Sequence, residues 1–261
     1  MNYGLYLSAA GVLTNRHRQD VFANNLANVQ THAFKPLRPS IANRPPESIE
    51  NPDRFGTAQK LLDRLGGGVL AGKQALDFTP GPIESTGNPL DAAITERDQF
   101  FAVSHRNAVT GQLETRLTRD GRFTLNNLGE LVTQSGHRVL DTANQPILLS
   151  ADAKPRITPA GIIVDQQNNT LAQLQIARVP APGDALLPAG EGTFRFKGAD
   201  TRQPVTNADL ATESIEASGT QAVPTLMQLI AASKSAMGNA NMIRYHDTLI
   251  DRAVNTLGRV A

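Results

Sequence analysis

His17, His32, His105, His137 and His246 are the side chains best suited to move protons or hold a metal near neutral pH. No two of them stand four apart, as the paired ligands of a helical zinc site do, so spacing in the sequence assigns no metal. His17 and His246 fall on expected helices among polar residues, where a solvated or interfacial ring is the ordinary state. Cysteine is absent, which removes disulfides, thiolate nucleophiles and Cys-ligated metals together. Asp91, Glu96 and Asp98 are close in sequence, yet glycoside hydrolysis needs two carboxylates facing one cleft, and nothing marks these out. Gly66-Gly67-Gly68-Val69 lacks the Lys-Ser/Thr that follows in a phosphate loop. Asp120-Gly121 is the pair a β-hairpin turn favours, and a turn is expected there in preference to an acid catalyst. The residues thus point to no catalytic group, no cofactor and no metal.

One polar cluster stays unexplained. The stretch VFANNLANVQTHAFK places Asn24, Asn25 and Asn28 together at the end of an expected helix. Asn24 and Asn28 are four apart, hence on one helix face. Carboxamides both donate and accept, so they can bond backbone or one another in a crowded helix interface. Asn28 also suits a helix C-terminus, because Asn tolerates the left-handed conformation. The expected role is packing and termination, with Thr31 and Phe34 setting the turn that follows.

The elements around this cluster divide the chain by texture. Residues 3–29 read as a helix, with Leu5, Ala9, Val12 and Leu13 forming one apolar stripe and Val21, Phe22, Leu26 and Ala27 another. Residues 36–76 are an irregular arm, broken by Pro36, Pro39, Pro45, Pro46 and Pro52, with a short helix expected over 58–65. Residues 77–211 read as β. Phe100-Phe101-Ala102-Val103 is an apolar strand, and 122–125, 130–133 and 138–140 form a meander between turn signals. Residues 157–164 repeat the hairpin theme, 171–179 read as one strand and 193–196 as another. From 222 to 259 helix returns. Leu226, Ile230, Met237, Ile243, Ile250, Val254 and Leu257 step along it as a heptad-like seam, and Gly238 weakens its middle. The fold class is α+β. Helices over 1–35 and 212–261 are expected to pair as a coiled-coil-like element, with the arm and the mainly-β domain inserted between them.

Composition narrows the partners. A formal net charge of +1, with no basic run, argues against a nucleic-acid surface. Aromatics are 5% of the chain and Trp is absent, too few for an obvious carbohydrate-stacking platform. No segment approaches the ~18 apolar residues of a membrane span, so no direct membrane insertion is expected. The first residues lack the basic and apolar regions of a cleaved signal peptide.

The segment ANNLANVQTHAFK resembles the N-N-L-A-N-x-x-T-x-G-F-K signature of bacterial flagellar rod and hook proteins, matching at Asn24, Asn25, Leu26, Ala27, Asn28, Thr31, Phe34 and Lys35. Gly87-Asn88-Pro89-Leu90-Asp91-Ala92-Ala93-Ile94 with the following Phe100-Phe101 is similar to the family's G-N-P-L-D-x-A-I…G-F-F. Thr118-Arg119-Asp120-Gly121-Arg122-Phe123, with Gly129, Leu131 and Val132 after it, is similar to T-R-D-G-x-F…G-x-L-V. Length points to rod proteins of the F or G type. Ala33 stands where the family usually has Gly, which is expected to re-shape the turn. Arg97-Asp98-Gln99 and Ser235-Ala236-Met237-Gly238-Asn239 also depart from the family pattern.

The resemblance implies a structural subunit without catalysis. Its partners would be copies of itself, other flagellar rod and hook proteins, and the flagellar type III export apparatus. It would assemble helically around the export channel and transmit torque from motor to hook. Export without a cleaved signal would place it in the periplasmic rod of the basal body. The other reading is a periplasmic or surface binding module, a β domain on a helical stalk.

Overall fold

The structure is a computed structural model that describes residues 3–45, 49, 66–106, 111–205 and 208–257. The expected short helix over 58–65 lies outside the described residues. The chain divides into two compact units, one drawn from Met1–Ala27, Leu37–Ala75 and Gln221–Ala261, the other from Asn28–Pro36 and Leu76–Thr220.

The first unit is built on two long helices. Helix α1 (Tyr3–Ala27) runs unbroken through the polar block around Asn15. A short helix, α2 (Pro182–Ala185), belongs to the other unit. Helix α3 (Ala222–Arg252) carries Pro224 in its first turn, where the missing N–H costs no hydrogen bond. It continues through Gly238 without a break and passes into a π-helical turn, Ala253–Leu257, which contains the Leu257 expected on the seam.

Helices α1 and α3 pack antiparallel. A Cβ built on Gly4 would meet the His246 ring at 2.6 Å, and one on Gly11 would overlap the Asn239 carboxamide. Each pair is one heptad from the next, so small residues on α1 let α3 approach closely. The more covered positions of α3 are Thr225, Leu229, Ala232, Ser233, Ala236, Asn239, Ala240, Ile243, His246 and Ile250, which keep to one helical face. This row runs one position before Leu226, Ile230 and Met237 and includes Ile243 and Ile250 of the expected seam. Ile243 and Ile250 are half-buried, but Leu226, Ile230, Met237 and Val254 are exposed, Met237 by 64%. The physical reason is size: the large apolar side chains do not fit where the helices come closest, and small or polar ones do.

The second unit is β. Its central strand, Gln99–Arg106, pairs along one edge with Leu113–Thr118. Along the other edge it takes Ile176–Arg178 and then Arg138–Val139. The nine-stranded sheet extends outward to the meander Phe123–Leu125, Leu131–Thr133 and Arg138–Val139, and to the hairpin Leu186–Gly190 and Thr193–Phe196. Strand alternation sends Phe100 and Ala102 into a core with Phe78, Leu117 and Phe194. Phe101 and Val103 enter a second core with Ile94, Phe123 and Leu131. Edge-to-face rings tie both together, Phe78 on Phe100 at 5.4 Å and Phe101 on Phe123 at 5.1 Å.

Two sequence expectations change here. Residues 171–179 are not one strand: Thr170–Gln173 pairs in a separate three-stranded sheet and Ile176–Arg178 in the main one. Asp120-Gly121 is not a hairpin turn, because the strands it connects, Leu113–Thr118 and Phe123–Leu125, are not neighbours in the sheet. It is a corner. Asp120 accepts the Arg122 backbone N–H at 3.2 Å and pairs with its guanidinium. Gly121 is required by proximity: a Cβ there would overlap the Ala92 carbonyl, whose own N–H donates to Gly121 O at 3.0 Å.

Candidate functional site

The asparagine segment lies across both units, and each part has its own polar cluster. In the helical unit, Asn25 is the buried asparagine of the three. Its amide donates to Leu37 O at 2.8 Å while its carbonyl accepts Leu37 N–H at 2.9 Å. One side chain thus imitates a strand partner and satisfies both backbone groups of a residue twelve positions on. Asn24 is exposed in the single chain. Leu26 is half-buried and Ala27 is exposed at the end of α1.

In the β unit, Asn28 O accepts Thr31 N–H at 3.1 Å and the Ser218 hydroxyl at 2.9 Å. The Thr31 hydroxyl donates to Asn28 Oδ1 at 3.1 Å. Ala33 holds φ 56°, the left-handed conformation suited to Gly, so the turn keeps that geometry and is not re-shaped by the side chain. The Ala33 N–H donates to Glu216 O at 2.8 Å, and Phe34 O accepts from Gly219 N–H at 3.0 Å.

Lys35 then enters the interior, 2% exposed. Its Nζ stands 2.5 Å from Glu216 Oε1 and donates to Thr79 O at 3.0 Å. The other oxygen of Glu216 takes Arg119 Nε at 3.0 Å, and Gly81 N–H donates to Oε1 at 2.7 Å. Arg119, fully buried, also donates to the backbone carbonyls of Gln99 at 2.7 Å, of Ile94 and of Glu96, and its guanidinium lies 5.6 Å from the Phe100 ring centroid. Desolvation pulls the Lys35 ammonium below its usual range, Glu216 opposes this, and the Arg119 charge adds to the lowering. Two cations share one carboxylate, and Lys35 is the one able to shed a proton.

This cluster joins two of the sequence blocks, the signature segment through Lys35 and the T-R-D-G block through Arg119. Glu216, which completes it, was not legible as a partner. It sits at the end of strand Ser214–Glu216, inside the span 212–261 expected as helix, whereas the helix begins only at Ala222. Alternation with buried Ile215 would have sent it outward; instead both residues are covered. The chemistry on offer is structural, since Glu216 and both its cations are sealed from solvent.

No family model matches the chain. Along its whole length, however, it is 30% identical to a flagellar basal-body rod protein FlgF of Caulobacter vibrioides, covering 100% of both chains. The chain belongs to the flagellar basal-body rod protein family. An Escherichia coli FlgF is 27% identical over 90% of each chain. A Bacillus subtilis FlgG is 28% identical over 96% of this chain and 97% of its own. The exposed asparagine, the Asn25 clamp and the buried ion cluster are therefore features of a rod-family subunit. No described helix of this rod protein is long and apolar enough to cross a membrane.

Among the described residues, the rod protein also carries a face of exposed apolar side chains. On α3, Val223, Leu226, Met227, Ile230, Met237 and Tyr245 are among the exposed large hydrophobic side chains. On α1, Leu13 is 68% exposed. A run of this size along one helix exceeds the scattered apolar residues of an ordinary monomer surface.

Proposed function

We propose that this chain is a structural subunit of the flagellar rod that assembles helically with copies of itself and with other rod and hook proteins. Its terminal helices pair as a coiled-coil-like element with a small and polar inner row. The exposed row from Leu226 to Val254 is the surface covered by neighbouring subunits, and Asn24, with the rest of the signature from Asn25 to Lys35, shapes the contact at the end of α1. Residues 36–76 serve as an arm to the next subunit, and the β domain faces away from the export channel. The assembled rod transmits torque from motor to hook in the periplasm. The subunit reaches that place through the type III apparatus without a cleaved signal.

The observation that supports this most is the exposed apolar face of α3. Head-to-tail repetition of such a contact generates an open helical filament. The test is a double substitution, Ile230→Asp with Met237→Asp, in a motile host. Both side chains are exposed, so the secreted chain keeps its circular dichroism spectrum. The variant is expected to be absent from purified hook-basal bodies and to abolish swimming. Normal incorporation and swimming would overturn the proposal.

A further inference from the structure

Cross-strand pairing of Arg138 with Ser104 sets His137 beside His105. Their Nδ1 atoms face each other at 3.4 Å, with ring planes 70° apart. Glu191, at the turn between Leu186–Gly190 and Thr193–Phe196, brings a carboxylate oxygen to 3.0 Å from His137 Nε2. One donor atom can be chosen from each of the three so that all lie within 4.8 Å of one another. The geometry points to a binding site for one divalent transition metal of the zinc class, held by His105, His137 and Glu191.

Two independent features favour a metal over a simple hydrogen-bonded pair. A tetrahedral ion with metal–nitrogen bonds of about 2.0–2.1 Å sets its ligand nitrogens roughly 3.3–3.4 Å apart. The observed Nδ1 separation matches that edge, whereas an N–H bonded to a ring nitrogen closes to roughly 2.7–3.2 Å. Second, His137 is 6% exposed and is the middle member of the three, with the His105 ring at its Nδ1 and the Glu191 carboxylate 3.0 Å from its Nε2, so two further donors converge on one buried imidazole.

The scaffold is already set. Thr133 N–H donates to His137 O at 2.9 Å, and His137 N–H to the Thr133 hydroxyl at 3.2 Å. On the opposite side, the Thr193 hydroxyl donates to Gly190 O at 2.7 Å and the Thr118 hydroxyl to Gly192 O at 2.9 Å. The nearby cation Arg116 is engaged elsewhere, by Glu114 at 3.7 Å and the Ala189 carbonyl at 3.3 Å. Two imidazoles and a carboxylate are a donor set for zinc, copper or nickel, not for calcium or magnesium. Such an ion would fasten the hairpin turn to the central strand and its neighbour.

The test uses the full-length, tag-free chain after chelator treatment. Isothermal titration with Zn2+ is expected to give one equivalent, and Co2+ to give the intense visible bands of a tetrahedral site. Glu191→Gln, on an exposed turn, and His105→Asn should each weaken Zn2+ binding at least tenfold and abolish the Co2+ bands. Zinc should raise the melting temperature of the parent chain but of neither variant. Absence of binding at micromolar Zn2+ would overturn the assignment. So would binding of unchanged affinity in both variants, which would place the ion at other histidines.

Discussion

Glu216 illustrates how much one side chain can hold. Removing its charge leaves Lys35 and Arg119 buried and facing each other, so Glu216→Gln is expected to cost about 3–5 kcal/mol by chemical denaturation. Lys35→Met leaves a one-to-one pair and should cost far less. The Lys35 proton adds a pH signature. Its folded-state affinity for a proton is lowered, so the unfolded chain binds that proton more tightly. Below the folded pKa the penalty is complete; as pH rises from there to the unfolded value of about 10.5 the penalty fades. The stability of the parent chain relative to Lys35→Met should therefore increase with pH across that window. A flat difference would show that Lys35 titrates as if unfolded. Ala33 offers the opposite kind of change. A left-handed alanine costs about 1–2 kcal/mol, and a glycine there gives back about 0.4–1 kcal/mol through unfolded-chain entropy. Ala33→Gly should raise the urea midpoint by roughly 0.5–1 kcal/mol of stability. The left-handed position was legible from the family pattern; the fact that alanine keeps it was not, because sequence carries no record of strain that surrounding hydrogen bonds over-determine.

At the scale of elements, turn chemistry was the readable signal. The meander strands fall where Asn-rich and Gly-containing turns bracket them, and Thr193–Phe196 lies where its glycine flanks indicate. The break at Leu174-Gln175 was invisible, because two short strands in different sheets leave the same apolar trace as one long strand. In the first half of α3 the covered row runs one position before Leu226, Ile230 and Met237 for a related reason. Periodicity finds the largest apolar residues, while the closest helix approach selects the smallest. Gly11→Leu tests this directly. A leucine at the Asn239 contact outweighs the gain in helix propensity of up to about 1 kcal/mol and forces the helices apart. Hydrogen-exchange protection should fall along Ala222–Arg252 and stay unchanged in the strand Gln99–Arg106. Unaltered protection in the helix would place the close approach elsewhere.

For the whole molecule, three passes of the chain meet beside the buried carboxylate. Pro36 O accepts from Asp77 N–H at 3.0 Å, Lys35 bonds Thr79 O, and Gly219 N–H bonds Phe34 O. The segment 37–75 therefore departs and returns at one place, and so does everything between Gly81 and Glu216. Both excursions are closed loops hung on the same knot. A loop whose ends are already joined changes its closure entropy only slowly with length, by about 0.6 kcal/mol per doubling. Changes of length in either excursion that spare Arg119 and Leu37 can thus leave the knot and the Asn25 clamp in place. The arrangement separates the few residues that close the knot from the stretches between them, whose length is free to vary.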